Sequence, residues 1–205
     1  MKPIRCEANQ VRHFRAVGSC GSAPAHTHAF HIQKGYHVMT ETGSRPPAAG
    51  RAIFSTRVSG DWVDFNGHMG DYAYGIVFAD AVTAYMDLIG VDAAYRAASG
   101  ATLYTLDSRI GYLKECHEGT PLAVELVVLA ADDKRVHVFM RLRDGAGQEL
   151  ALCEQVLMHV SRACGTPRAA PFPRQMRACV AAQMEAHAEF DRPAWLTRPM
   201  GLCRR

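Results

Sequence analysis

Apolar and polar positions repeat with different periods along the chain, and each change of period marks an element. Residues 1–50 hold no sustained period. From Arg51 the segment AIFSTRVS alternates and carries β-branched residues, which predicts a strand. GDYAYGIVFADAVTAYMDLIG then places apolar residues at 72, 76, 77, 81, 82, 85, 88 and 89, one wide helical face. Gly90 is the expected C-cap, because glycine takes a positive φ without steric cost. Four strand-like segments follow, at about 102–116, 121–131, 134–143 and 149–161. The third alternates strictly and puts Val136, Val138, Met140 and Leu142 on one face. ADDK and DGAG between these segments carry hairpin chemistry. Strand, long helix and four antiparallel strands make an α+β layout, with the helix packed on one face of a curved sheet. A second helix is predicted from about Arg174 to His187, with a narrow apolar stripe at 176, 180 and 184. The Pro-punctuated DRPAWLTRPM after it is extended, and no internal repeat is visible.

Three regions result: a weakly ordered or disordered extension over 1–50, a main domain over 51–161, and a C-terminal extension with one helix over 162–205. Stretches such as GSCGSAPAHTHAF cannot bury enough apolar surface to offset the entropy of ordering. Met39 is an alternative natural start, with residues 1–38 as upstream sequence. His26, His28, His31 and His37 lack acidic or Cys partners, so an incidental role is expected and no metal site.

Composition narrows the class. A chain of 205 residues, 48% hydrophobic and 21% charged, suits one globular domain with tails. The net charge of +3 conceals a division. Residues 1–38 hold five basic residues and one acid, residues 162–205 hold eight and three, and 39–161 hold ten and sixteen. Basicity belongs to the tails, so no nucleic-acid surface is expected. Seven cysteines, an odd number without a CxxC pair, read as reduced thiols and not as a zinc site or a disulfide frame. No apolar run approaches the roughly 18 residues of a membrane span. The N-terminus lacks the apolar core of a secretory signal. No membrane partner is expected, and the expected location is the cytoplasm.

The chemistry concentrates in DWVDFNGHMGDY, Asp61 to Tyr72, just before the long helix. In one reading Asp64 or Asn66 caps that helix and Asp71 complements its dipole. In the other, a helix N-terminus preceded by Gly67 offers backbone N–H groups to a developing oxyanion, and a carboxylate three residues earlier acts as base or nucleophile. Cys116 and Cys153 show no paired His signature of a nucleophile. His137 and His159 fall inside strands and are expected to be structural.

The motif D-x-x-G-H leading into a long helix, then an antiparallel meander, resembles the hot-dog-fold acyl-CoA thioesterases of the hydroxybenzoyl-CoA thioesterase type. WVDFNGHM, YTLDSRIGYLKE and ADDKRVHVF, in that order over about residues 52–161, more closely resemble the betainyl-CoA thioesterase domains associated with carnitine dehydrogenase. The tail AHAEFDRPAW is similar too. The resemblance implies a long helix wrapped by a curved, five-stranded antiparallel sheet, and hydrolysis of a small acyl-CoA, best matched by betainyl-CoA in carnitine breakdown. It places Asp64 at the catalytic carboxylate and adds His68 to the catalytic pair, in a loop-orienting role first and with direct proton transfer as the lesser alternative. Met69 and Gly70 are the expected backbone oxyanion donors. No cofactor is implied, since CoA is part of the substrate, and a homodimer or tetramer with the site between protomers is expected. Gly70 departs from the pattern, because relatives often carry Asn or another polar residue there.

A quaternary ammonium acyl group needs aromatic faces or carboxylates, since it has no N–H to donate. Trp62, Phe65, Asn66, Tyr72 and Tyr104 are the candidate substrate contacts, with Trp62 preferred and Tyr74 also near. Lys134 and Arg135, with Arg141 and Arg143 behind them, are the candidates for the CoA phosphates. Two rivals remain. Ser59-Gly60-Asp61 and Asp64-Phe65-Asn66 echo the S-G-D-x-N-P-L-H of hot-dog enoyl-CoA hydratases, although His68 falls four residues after Asp64 where that motif needs five. A non-catalytic acyl-CoA-binding protein is the other.

Overall fold

The computed structural model describes residues 50–197. The expected N-terminal extension up to residue 49, its four histidines and the Met39 start lie outside the described residues, as does the end of the tail from residue 198.

Strand β1 (Ala52–Arg57) is followed by a single 3₁₀ turn, Gly60–Trp62, and by helix α1 (Asp71–Leu88). A short helix α2 (Ala93–Ser99) leads into β2 (Ala101–Tyr112), β3 (Pro121–Ala131), β4 (Arg135–Asp144) and β5 (Glu149–Ser161). A two-residue strand β6 (Arg168–Ala169), helix α3 (Arg174–Ala186) and a 3₁₀ turn, Ala194–Thr197, complete the order. The strands run antiparallel in the order β1-β3-β4-β5-β2, and β6 adds to the end of β5. This is the long helix and curved five-stranded sheet of the hot-dog fold, with β1 and β2 at the edges.

Both hairpins are closed by an aspartate, as the turn residues predict. Asp132 accepts from the N–H groups of Lys134 and Arg135 at 2.9 and 2.7 Å and from the Arg135 side chain at 2.8 Å. These contacts hold its carboxyl at about 2, below the usual 3.8. Asp144 accepts from the N–H groups of Ala146 and Gln148 at 2.9 and 2.8 Å.

Helix α1 buries Ala73, Tyr74, Val77, Phe78, Ala81, Val82, Ala84, Tyr85 and Met86 against the sheet. Tyr72 and Leu88, on the face predicted from spacing, are instead 53% and 46% exposed. The helix is apolar nearly all round, so its large side chains do not single out a face. The exposed side carries the polar residues Asp71, Thr83 and Asp87, while the buried side combines Ala73, Ala81 and Ala84 with the rings of Tyr74, Phe78 and Tyr85. Gly90 does follow the helix end with φ 86°. Helix α2 lies in a segment with no periodic signal, yet its ends are legible: Asp92 caps the N–H of Tyr95 at 2.8 Å, and Gly100 closes it at φ 63°.

Val136, Val138, Met140 and Leu142 are fully buried on the α1 side of the sheet, as their alternation predicts. The other face of β4 is not the solvated surface that alternation suggests. Phe139 is also fully buried, under Phe190 and Trp195 of the C-terminal segment, at ring-centroid distances of 5.7 and 6.3 Å. The Arg109 guanidinium stacks on Trp195 at 3.8 Å, and Arg141 lies over Phe190 at 4.9 Å. Gly111 makes this possible, since a Cβ there would sit 2.5 Å from the Trp195 ring. Helix α3 contributes Met176 and Val180 to the core, as its stripe predicts. After it the buried His187 ring accepts the Val128 N–H at 3.1 Å.

Candidate active site

The stretch before α1 folds into a tight hairpin. Val63 and Met69 bridge, the Asp64 N–H donates to the His68 carbonyl at 2.9 Å, and the Gly67 N–H donates to the Asp64 carbonyl at 3.0 Å. The turn requires φ 79° at Gly67, a conformation that glycine alone adopts without strain. Asp64 is oriented inside this hairpin. Its Oδ1 accepts the Asn66 N–H at 2.8 Å, and the Asn66 side-chain amide lies 3.4 Å from Oδ2. The hairpin is pinned to the loop after β2: the Met69 N–H donates to the Cys116 carbonyl at 2.8 Å, and His117 Nδ1 lies 3.0 Å from the Gly67 carbonyl.

Beside the hairpin lies a recess of about 330 Å³. Asp64, His68 and Met69 line it from the hairpin, Asp71 and Tyr74 from the first turn of α1, and Tyr112, Leu113, Lys114 and Glu115 from the end of β2. His68 Nδ1 stands 3.3 Å from the Glu115 carboxylate. Tyr74 and Tyr112 meet edge to face at 5.3 Å. Burial, then the Cys116 thiol, raises the Tyr74 phenol, which donates to the Lys114 carbonyl at 3.2 Å. Burial is also the main cause of the raised Cys116 thiol and pushes Cys153 up to about 12. The two buried thiols therefore remain protonated and are poor nucleophiles.

The backbone donors differ from those expected. The Met69 N–H is engaged by Cys116, and the Gly70 N–H donates to the Trp62 carbonyl at 2.8 Å. Tyr72 N–H turns to Asp71 Oδ1 at 2.8 Å and Ala73 N–H to the Gly70 carbonyl at 3.0 Å. Among the described residues, the Asp71 N–H is the amide in the first turn of α1 without an acceptor. Gly70 caps the helix without a side chain, and a Cβ there would lie 2.7 Å from the exposed Tyr72 ring, which would have to turn aside.

The other expected contacts are dispersed. Trp62 packs half-buried against the core, outside the recess. The Tyr72 hydroxyl donates to the Asp61 carbonyl at 2.8 Å. Phe65, at the hairpin tip, is 97% exposed. Tyr104 pairs with Met158 near the other end of β2, roughly 26 Å from Tyr112 at ~3.3 Å per strand residue, and its hydroxyl accepts from Arg162 at 3.0 Å. Lys134 and Arg135 share that far end. Arg135 is paired with Asp132 at 2.7 Å, while Lys134 has no ion pair among the described residues. Arg141 lies 3.4 Å from Glu149, and Arg143 lies 3.3 Å from Glu125, both on the outer sheet face. His159 is structural as expected, between the Tyr95 hydroxyl at 2.9 Å and the Ala170 carbonyl at 3.0 Å.

Tyr112, Glu115 and His117 were not among the expected site residues, because YLKECHE overlaps the end of the strand predicted over about 102–116. His68, Glu115 and His117 present ligand atoms within 4.8 Å of one another, the one group among the described residues able to hold a metal ion. His117 Nδ1, engaged with Gly67, leaves Nε2 for such a role.

The family model of the thioesterase-like superfamily matches residues 58–180, which span the hairpin, α1 and all the long strands except the first. The chain belongs to that superfamily. It is 42% identical over 150 residues to the betainyl-CoA thioesterase of Pseudomonas aeruginosa, covering 73% of this chain and 93% of that relative. It is 37% identical to the L-carnitine dehydrogenase/betainyl-CoA thioesterase of Rhizobium meliloti, of whose length it spans 30%. Among solved structures, a Staphylococcus aureus protein in complex with CoA superposes with a TM-score of 0.70 at 25% identity, covering 78% of this chain and all of that one. With these relatives the chain is an acyl-CoA thioesterase, and Asp64 of the hairpin lines its recess.

Proposed function

We propose that the protein hydrolyses betainyl-CoA to glycine betaine and free CoA, in the breakdown of carnitine. The observation that carries this reading is the Asp64 carboxylate, oriented by Asn66 at the edge of an acidic recess beside the start of α1. The relatives' activity supplies the substrate.

The reaction needs a base, a site for the developing oxyanion and a leaving group. Water adds to the thioester carbon while Asp64 takes its proton, and the carbonyl oxygen becomes negative near the Asp71 N–H. The intermediate then expels CoA as thiolate, and the proton held by Asp64 passes to the sulfur. The alternative course, attack by Asp64 itself, forms a mixed anhydride that water opens to the same products. Neither course uses a redox cofactor, and a cytoplasmic location suits a CoA ester.

The protein acts as a homodimer in this reading, with a tetramer as a further assembly of dimers. Strand β2 is a sheet edge with exposed Leu106, and the hairpin pinned to the loop after it exposes Phe65. A second copy added along β2 covers this apolar margin, and antiparallel pairing brings the partner's far end, where Lys134 stands, towards this recess. Light scattering on the purified chain is expected to give a mass of at least twice the monomer; a fully active monomer would overturn it.

The activity is tested by release of CoA thiol from betainyl-CoA, with acetyl-, butyryl- and benzoyl-CoA in parallel. A strong preference for betainyl-CoA is expected. Cleavage of none of the four sinks the proposal.

A further inference from the structure

We infer that Tyr112, Asp71 and Glu115 form a subsite for a quaternary ammonium group, so that the recess selects its acyl group by fixed positive charge more than by shape. This rests on the proposed thioesterase reading and adds to it which residues recognise the acyl group.

The recess holds three carboxylates, from Asp64, Asp71 and Glu115. One is occupied by the chemistry. Asp71 and Glu115 are thus additional acids in a site where a neutral acyl group needs none and an anionic one is repelled. Neither is neutralised by a permanent cation. The Asp71 carboxylate accepts the Tyr72 N–H and has no ion pair among the described residues, and Glu115 is paired with His68 at 3.3 Å. Lys114, the one Lys or Arg lining the recess, directs its ammonium to Gln148 Oε1 at 3.0 Å.

The same recess carries aromatic surface, the second requirement for binding a cation that cannot donate a hydrogen bond. Tyr74 is 3% exposed and Tyr112 is 53% exposed. Tyr74 therefore acts as a support, held by the Lys114 carbonyl and meeting Tyr112 at an interplanar angle of 86°. Tyr112 is the accessible ring. Its hydroxyl approaches the Asp71 backbone carbonyl at 3.5 Å, and after burial the nearby Asp71 charge is the next cause that raises its phenol. A cation within about 6 Å of the ring centroid gains from the ring face and the nearby carboxylates together.

The test compares betainyl-CoA with 3,3-dimethylbutyryl-CoA, in which a carbon atom replaces the quaternary nitrogen at nearly unchanged shape. Wild-type kcat/KM is expected to favour betainyl-CoA at least about tenfold. Tyr112→Leu, Asp71→Asn and Glu115→Gln are each expected to lower turnover of betainyl-CoA several-fold more than turnover of the isostere. Equal turnover of the two esters by wild type overturns the subsite, and so do variants that lose both in the same proportion. Should the enzyme cleave neutral thioesters but not betainyl-CoA, the substrate reading fails separately, and the subsite is read by competition. Betainyl-CoA should then inhibit neutral-ester cleavage by wild type more strongly than by Tyr112→Leu; equal inhibition overturns it.

Discussion

Asp64→Asn is expected to lower kcat for thioester cleavage by about 10²–10⁴-fold, the usual contribution of a positioned general base. A nucleophilic Asp64 predicts at least as large a loss. The substitution separates chemistry from structure, because asparagine keeps an oxygen that can accept the Asn66 N–H, now at 2.8 Å. The hairpin backbone bonds at Asp64, to His68 and from Gly67, do not depend on the side chain. Melting temperature should therefore stay close to wild type and KM should change little. Steady-state thiol release, with thermal unfolding alongside, checks both. A variant that retains wild-type kcat would show that the carboxylate serves only the turn.

Phe139→Ala is expected to destabilise the fold by about 3–5 kcal/mol, the cost of emptying a fully buried aromatic site. The loss is this large because Phe139 has partners on a face that strand alternation assigns to solvent. Phe190 and Trp195 pack on it, and both are in turn covered by arginine guanidinium groups. Truncating the ring removes the floor beneath the C-terminal segment. Urea unfolding followed by tryptophan fluorescence should show a lower midpoint and an altered native signal from Trp195. A change below about 1 kcal/mol would mean that the segment does not depend on this contact.

The two substitutions mark where sequence and tertiary structure part. Asp64 was legible because its chemistry is local: D-x-x-G-H places a carboxylate, a glycine for the positive φ and a helix start within a few residues. The alternation of β4, the turn aspartates at 132 and 144, and Gly90 after α1 were legible for the same reason. Each is decided by backbone geometry and by neighbours within one or two turns. The partners of Phe139 lie more than fifty residues away, so no period in the chain announces them.

The acyl recess shows the same limit. Trp62 and Tyr72 stand within the segment 61–72 but do not line the recess, and Tyr104 lies at the wrong end of β2. Met69 and Gly70 stand where oxyanion donors were expected, but their N–H groups are engaged by carbonyls of Cys116 and Trp62. Tyr112 and Glu115, some forty residues further on, enter because β2 delivers them beside the first turn of α1.

By itself, then, the sequence determined the order of the long elements, the sheet face against α1, the hairpin and its carboxylate, since these rest on local propensity and periodicity. Tertiary structure alone decided which face of α1 is buried, which backbone amide is left without an acceptor, and which side chains surround Asp64. Those depend on how distant strands meet, and on the closeness of approach that Gly111 permits.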